Sequence, residues 1–192
     1  VKARAARYGV TILSINALQR FNEWTPERAR EAGDLIGYAA ACGAPALVLV
    51  PKNDGTGQAD GERQANLREA LAALKPLLEA AGITGLVEPL GFEICSLRSK
   101  REAVEAIRAV GGERTFRLVH DTFHHHLAGE PDLFAGMTGL VHISGVEDPA
   151  ISVADMRDGH RVLVGADDRL ANADQIKALL SAGYAGPFSF EP

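Results

Sequence analysis

Basic charge, cysteine and long apolar runs are all scarce in this chain. Lys and Arg number 20 against 25 Asp and Glu, a formal net charge of −5, so it lacks the basic excess that a nucleic-acid-binding face requires. Its two cysteines, Cys42 and Cys95, lie in unrelated segments and form no C-x-x-C pair. That removes a thiolate metal site and leaves two reduced, partly buried thiols, the usage expected of a cytoplasmic protein. No stretch approaches the roughly 18 continuous apolar residues of a membrane span. Residues 1–8 lack the apolar core and cleavage site of a secretory signal. Gly55, Gly57 and Gly61 space a loop, but no Walker lysine follows and no strand–GxGxxG–helix unit exists, so a phosphate cradle is not indicated. With no linker, low-complexity tract or exact repeat, residues 1–192 read as a single domain. Its 46% hydrophobic content is enough for one sizeable core.

Two patterns alternate along that domain. Short apolar runs occur at residues 10–15 (VTILSI), 46–50 (ALVLV), 85–87 (GLV), 116–119 (FRLV), 140–143 (LVHI) and 188–190 (FSF). Each is too continuously apolar for a strand with one wet face, so they are expected to be parallel strands buried on both faces. Between them lie helical stretches. One opens at Thr25-Pro26-Glu27 and runs toward Cys42, and another spans residues 62–81 with Leu67, Leu71, Leu74 and Leu78 on one stripe. Two more cover about 99–110 and 172–182, each followed by glycine. Strand and helix in alternation is the βαβ pattern. Six strands fit either part of a (β/α)₈ barrel or an open doubly wound sheet.

Polar residues gather where these strands end. Asn16 follows the first run, Glu88 the third and Asp121 the fourth; His142 sits in the fifth and Glu191 ends the sixth. Charged groups at buried strand ends are costly unless paired or bound to metal, and α/β enzymes place their sites at the carboxyl ends of parallel strands. Glu88, Asp121, His142 and Glu191 form a mixed nitrogen and oxygen donor set that suits zinc, manganese, cobalt or iron. The alternative is that each caps a helix or forms a separate ion pair. In His120-Asp121-Thr122-Phe123-His124-His125-His126, His124 lies three residues past Asp121 and can return to the pocket. His125 and His126 read as a solvated loop, and His120, alternating with Asp121, should face the helices. Arg161 reaches either a ligand oxygen or solvent.

The segments VEPLG at Glu88, LVHDTFHHH through Asp121 and His124, VHISGVED at His142, RVLVG at Arg161 and FSFEP at Glu191 resemble the xylose-isomerase-like TIM-barrel superfamily. Asn16-Ala17-Leu18 followed by Phe21-Asn22 is similar to the third-strand segment of its inosose (2-keto-myo-inositol) isomerase branch. The resemblance covers essentially the whole chain and implies a TIM (β/α)₈ barrel represented by strands three to eight only. The two N-terminal βα units and the last helix are then missing from residues 1–192.

It implies one divalent metal ion (Zn, Mn, Co, Fe or Mg) held by Glu88, Asp121, His142 and Glu191. Glu88 and Glu191 would also be the catalytic acid/base pair, and His124, Arg161 and Asn16 substrate contacts. The activity implied is isomerisation of a sugar or cyclitol ketone through an enediolate, by proton transfer between neighbouring carbons. Related outcomes are a ketose 3-epimerase or a hydroxypyruvate-type isomerase; a metal-dependent endonuclease or a non-catalytic sugar-binding protein fits less well. The partner is then a small molecule, with neither nucleic acid nor membrane, and a homo-oligomer stays open. One departure stands out: Val164-Gly165-Ala166-Asp167 replaces a frequent Pro-Gly-x-Gly stretch and puts the substrate contacts there in doubt. Geometrically, the four ligands should converge at one mouth. The strands should run in barrel order, with 10–15 and 188–190 unable to pair directly.

Overall fold

A computed structural model describes residues 1–59 and 61–192. Six parallel strands form one sheet in chain order: β1 (Ile15–Gln19), β2 (Ala46–Val50), β3 (Thr84–Val87), β4 (Phe116–Asp121), β5 (Thr138–Ile143) and β6 (Phe188–Phe190). Among the helices are α1 (Lys2–Arg7), α2 (Pro26–Cys42), α3 (Glu62–Ala81), α4 (Lys100–Ala109), α5 (Thr122–Ala128) and α6 (Asn172–Ser181).

The helix ends follow from local chemistry. Thr25 caps α2 by accepting the Arg28 N–H at 3.1 Å, with Pro26 in the first turn where its missing N–H costs nothing. Gly43 and Gly82 end α2 and α3 at φ +77° and +66°, in the left-handed region that a side chain disfavours.

Strand alternation divides the core into two layers. Leu47, Leu49, Val87 and Leu118 pack outward against Leu67, Leu71, Leu74 and Ile107 of the helices. Ala46, Val48, Leu86, Val119 and Leu140 form a separate inner cluster on the concave side. The same alternation sends Leu86 and Glu88, Val119 and Asp121, and Leu140 and His142 to that inner side.

The sheet curls into a half-barrel. Six strands about 4.8 Å apart would hold the edges of a flat sheet roughly 24 Å from each other. Instead, Asn16 Nδ2 of β1 donates to Glu191 Oε1, just beyond β6, at 3.1 Å. The edges do not pair: among the described residues no ladder joins β1 to β6. An open doubly wound sheet is thereby excluded, and barrel order holds.

Two local expectations need correction. The first strand is not 10–15 but Ile15–Gln19, paired as Ile15↔Leu47, Leu18↔Leu49 and Gln19↔Val50. Residues 10–14 precede the ladder, with Val10 and Leu13 largely exposed. Their apolar character marked the approach to the strand, and Asn16 lies within the strand rather than after it. Nor are His125 and His126 in a solvated loop, because both belong to α5 and are half-buried.

Candidate metal centre

Strand register brings the four donors together. Asp121 and His142 are direct partners in the β4–β5 ladder and point to the same side. Glu88 follows β3, its N–H bonded to Leu49 O at 3.1 Å, and Glu191 follows β6, its N–H bonded to Ile143 O at 2.9 Å. One ligand-type atom from each of Glu88, Asp121, His142 and Glu191 lies within 4.8 Å of the others. Two atoms each about 2.1 Å from one ion can be at most about 4.2 Å apart, so a small inward adjustment suffices.

Charge in this cluster is unevenly balanced. Glu88, Asp121 and His142 are buried, and the Glu191 side chain is one-third exposed. His142 Nδ1 lies 2.9 Å from Glu88 Oε1 and 2.8 Å from Glu191 Oε2. Burial alone would lower its pKa, but hydrogen bonds to the two glutamates raise it to about 10. The ring therefore carries a proton placed between two carboxylates.

Arg161 donates to Asp121 Oδ2 at 2.8 Å, Glu191 Oε2 at 3.3 Å and Ser144 Oγ at 2.9 Å. Burial raises the Glu88 pKa. Asp121, which burial would also raise, is held low by the neighbouring His124 and Arg161. Three carboxylates against Arg161 and protonated His142 leave one negative charge uncompensated. Exchanging the His142 proton for a divalent ion makes the site neutral, so the donor set fits such an ion in both chemistry and charge.

Asp121 fulfils two readings at once, since it also caps α5. Its Oδ1 accepts the N–H groups of Phe123 at 2.7 Å and His124 at 3.1 Å. That cap returns His124 to the pocket wall, where its Nδ1 is buried without a hydrogen-bond partner among the described residues. Asn16, His124 and Arg161 all line the cavity containing Glu88 and Glu191. The Arg161 side chain is 7% exposed and so is not a surface arginine. A two-residue bridge, Gly145 with Val162, holds its loop against the end of β5.

His120 points away from the site, its rings of contact being Lys100 Nζ at 3.0 Å and Gln175 Oε1 at 2.9 Å. Ser144 was not anticipated, although it stands two residues after His142 and so shares its face. Phe92 was also missed. It packs edge-on to His124, ring centroids 5.1 Å apart, from a loop without periodicity.

These features define an α/β half-barrel with a buried carboxylate–histidine centre at the carboxyl ends of its strands. The chain belongs to the xylose isomerase-like TIM barrel family, whose pattern it matches over residues 1–192. A xylose isomerase domain containing protein from Salmonella typhimurium LT2 is 38% identical, with TM-score 0.91, over 100% of this chain and 70% of that one. The IolI protein, solved with a bound zinc atom, aligns at 20% identity and TM-score 0.87, covering 99% and 71% of the two chains. D-Allulose 3-epimerase from Methylomonas sp., solved with D-allulose, aligns at 20% identity and TM-score 0.71, covering 99% and 66%. No functionally curated protein gives a significant match. No helix among the described residues is long and apolar enough to cross a membrane.

Proposed function

We propose that this chain carries the active centre of a divalent-metal-dependent isomerase acting on a hydroxy-ketone of the sugar or cyclitol class, with inososes as first candidates. The observation that carries this reading is the placement of Glu88 and Glu191. Both contact one nitrogen of His142, from strands β3 and β6 on either side of β5. Two carboxylates converging from separate strands can address two faces of a flat reacting group. Glu88, Asp121, His142 and Glu191 would hold the ion. When bound, it supplies positive charge where negative charge develops on the substrate oxygens.

The chain's own groups do the rest. One glutamate takes the proton from the carbon between the hydroxyl and the carbonyl, and the C–H electron pair moves toward the carbonyl oxygen. The hydroxyl proton passes to the former carbonyl oxygen and the carbon-bound proton returns to the former carbonyl carbon, so the carbonyl shifts by one carbon with no redox co-reactant. Asn16 and Arg161 hold substrate oxygens from opposite edges of the half-barrel. His124, with its free buried nitrogen, receives a third. Zinc in the IolI protein and the sugar in the allulose epimerase support the chemical class.

The test is a screen of inososes and ketoses with added Zn²⁺, Mn²⁺, Co²⁺, Fe²⁺ or Mg²⁺ in D₂O, reading products by NMR. Carbonyl migration with deuterium at the adjacent carbon is the expected outcome. Return of deuterium to the original carbon with inverted configuration identifies a ketose epimerase instead. No exchange on any substrate contradicts the assignment.

A further inference from the structure

The carboxylate cavity, about 410 Å³, adjoins a second of about 440 Å³. Asn53, Phe92 and Asp158 line both and form the threshold between them. Beyond it the walls change character: Ile94, Leu127 and Val153 join Phe92 as an apolar lining. Each cavity falls within the usual size range of small-molecule sites. A six-membered polyol bound at the carboxylates would leave Ile94, Leu127 and Val153 of the second cavity uncovered.

The charges in the second cavity are already committed. Arg98 donates to Gly91 O and Leu127 O, both at 2.8 Å, and Arg157 to Ala154 O at 2.8 Å and Met156 O at 2.7 Å. Both guanidinium groups thereby serve as clamps on the surrounding loops. Glu93 and Asp158 on the same walls balance them, so no net charge invites an ionised ligand.

The threshold is built to a close tolerance. A Cβ at Gly91 would come within 2.3 Å of His124 O and 2.6 Å of Leu127 Cβ. Only glycine lets this loop lie on α5, and that contact sets Phe92 against His124. At the same threshold Asn53 Oδ1 is buried with no hydrogen-bond partner among the described residues, an acceptor that a ligand hydroxyl would satisfy.

We propose that the second cavity receives an apolar substituent, so that the preferred ligand is a polyhydroxylated ring ketone carrying an aryl or alkyl group rather than an unsubstituted sugar or cyclitol. The ring lies at the carboxylates, the linkage crosses the threshold under Asn53 Oδ1 and along Phe92, and the substituent displaces water from Ile94, Leu127 and Val153. This rests on the reading of the carboxylate centre as the reacting site.

The test is calorimetric titration of the zinc-supplied protein with phenyl β-D-glucopyranoside and with methyl β-D-glucopyranoside. The phenyl probe should bind at least about tenfold more tightly, from the apolar area it buries. Ala154→Trp fills the second cavity from an exposed position outside the carboxylate centre. It should abolish that preference and leave the methyl probe's Kd unchanged. Equal affinities, no binding of either probe, or a preference that survives Ala154→Trp overturns the subsite. Zinc titration of the same sample separates the two claims. Protein that binds zinc without preferring the phenyl probe defeats the subsite alone; protein that binds no zinc defeats both.

Discussion

Arg161 occupies the Asp121 oxygen through which that carboxylate would reach a metal. Asp121 Oδ1 is committed to the start of α5, and Oδ2 accepts the Arg161 guanidinium at 2.8 Å. The cation is nearly buried, so its charge is poorly screened. Arg161→Met should therefore tighten zinc binding several-fold while lowering turnover, because a substrate contact goes with it. Calorimetry and steady-state kinetics measure the two effects. Weaker zinc binding in the variant would show that Arg161 orients Asp121 rather than competing for it.

Replacing either glutamate tests the proton-transfer assignment. Glu88→Gln and Glu191→Gln keep the shape but remove the base, and each should lower kcat by roughly 10²-fold or more. Metal affinity should fall too, since an amide oxygen carries no charge. Near-normal turnover in one variant, measured at saturating metal, would remove that residue from the acid/base pair.

Metal uptake should be proton-coupled. In the metal-free protein His142 keeps its proton up to about pH 10, against an ordinary 6.5. That raised value stabilises the metal-free fold fully below pH 6.5, and the contribution is lost as pH rises through about 10. Metal binding must expel the same proton. Apparent affinity should thus climb by about tenfold per pH unit between pH 7 and 9, the slope of one released proton. Calorimetry in buffers of different ionisation heat counts that proton, and a pH-independent affinity would contradict the His142 assignment.

Behind the site, His120 and His125 flank Lys100, whose Nζ lies 3.0 and 2.9 Å from their Nδ1 atoms. Burial, then the Lys100 charge, depresses the two histidines from 6.5 to about 4 and about 3. Between those values and 6.5 the unfolded chain binds protons that the folded chain refuses, so stability falls as pH drops from 6.5 toward 4. His120→Gln, whose amide nitrogen can stand where Nε2 meets Gln175 Oε1, should flatten that slope in urea unfolding at pH 7 and pH 5. An unchanged slope would place the acid sensitivity elsewhere.

How much of this was readable beforehand varies with the element. The inner strands declared themselves because both faces are buried and their apolar runs are unbroken. β1 did not, since its ladder residues Ile15–Gln19 mix polar and apolar side chains while a more apolar stretch precedes them. The seven-residue α5 was hidden by its three histidines, which read as polar loop until Asp121 is seen capping it. The four donors were visible because each closes or sits in an apolar run. Whether Arg161 faced them was not, because the Gly145–Val162 bridge that aims it is a pairing between loops. The second cavity left no sequence signal, its walls coming from segments far apart in the chain, around Asn53, Phe92, Leu127 and Val153.

The proposed chemistry requires one ion bound by four side chains. A crystal grown with zinc, with diffraction recorded on both sides of the zinc absorption edge, tests this directly. The expected result is one anomalous peak per chain, about 2.0–2.2 Å from an oxygen or nitrogen of Glu88, Asp121, His142 and Glu191. A map with no peak among these residues, or with the only strong peak elsewhere on the chain, would contradict it.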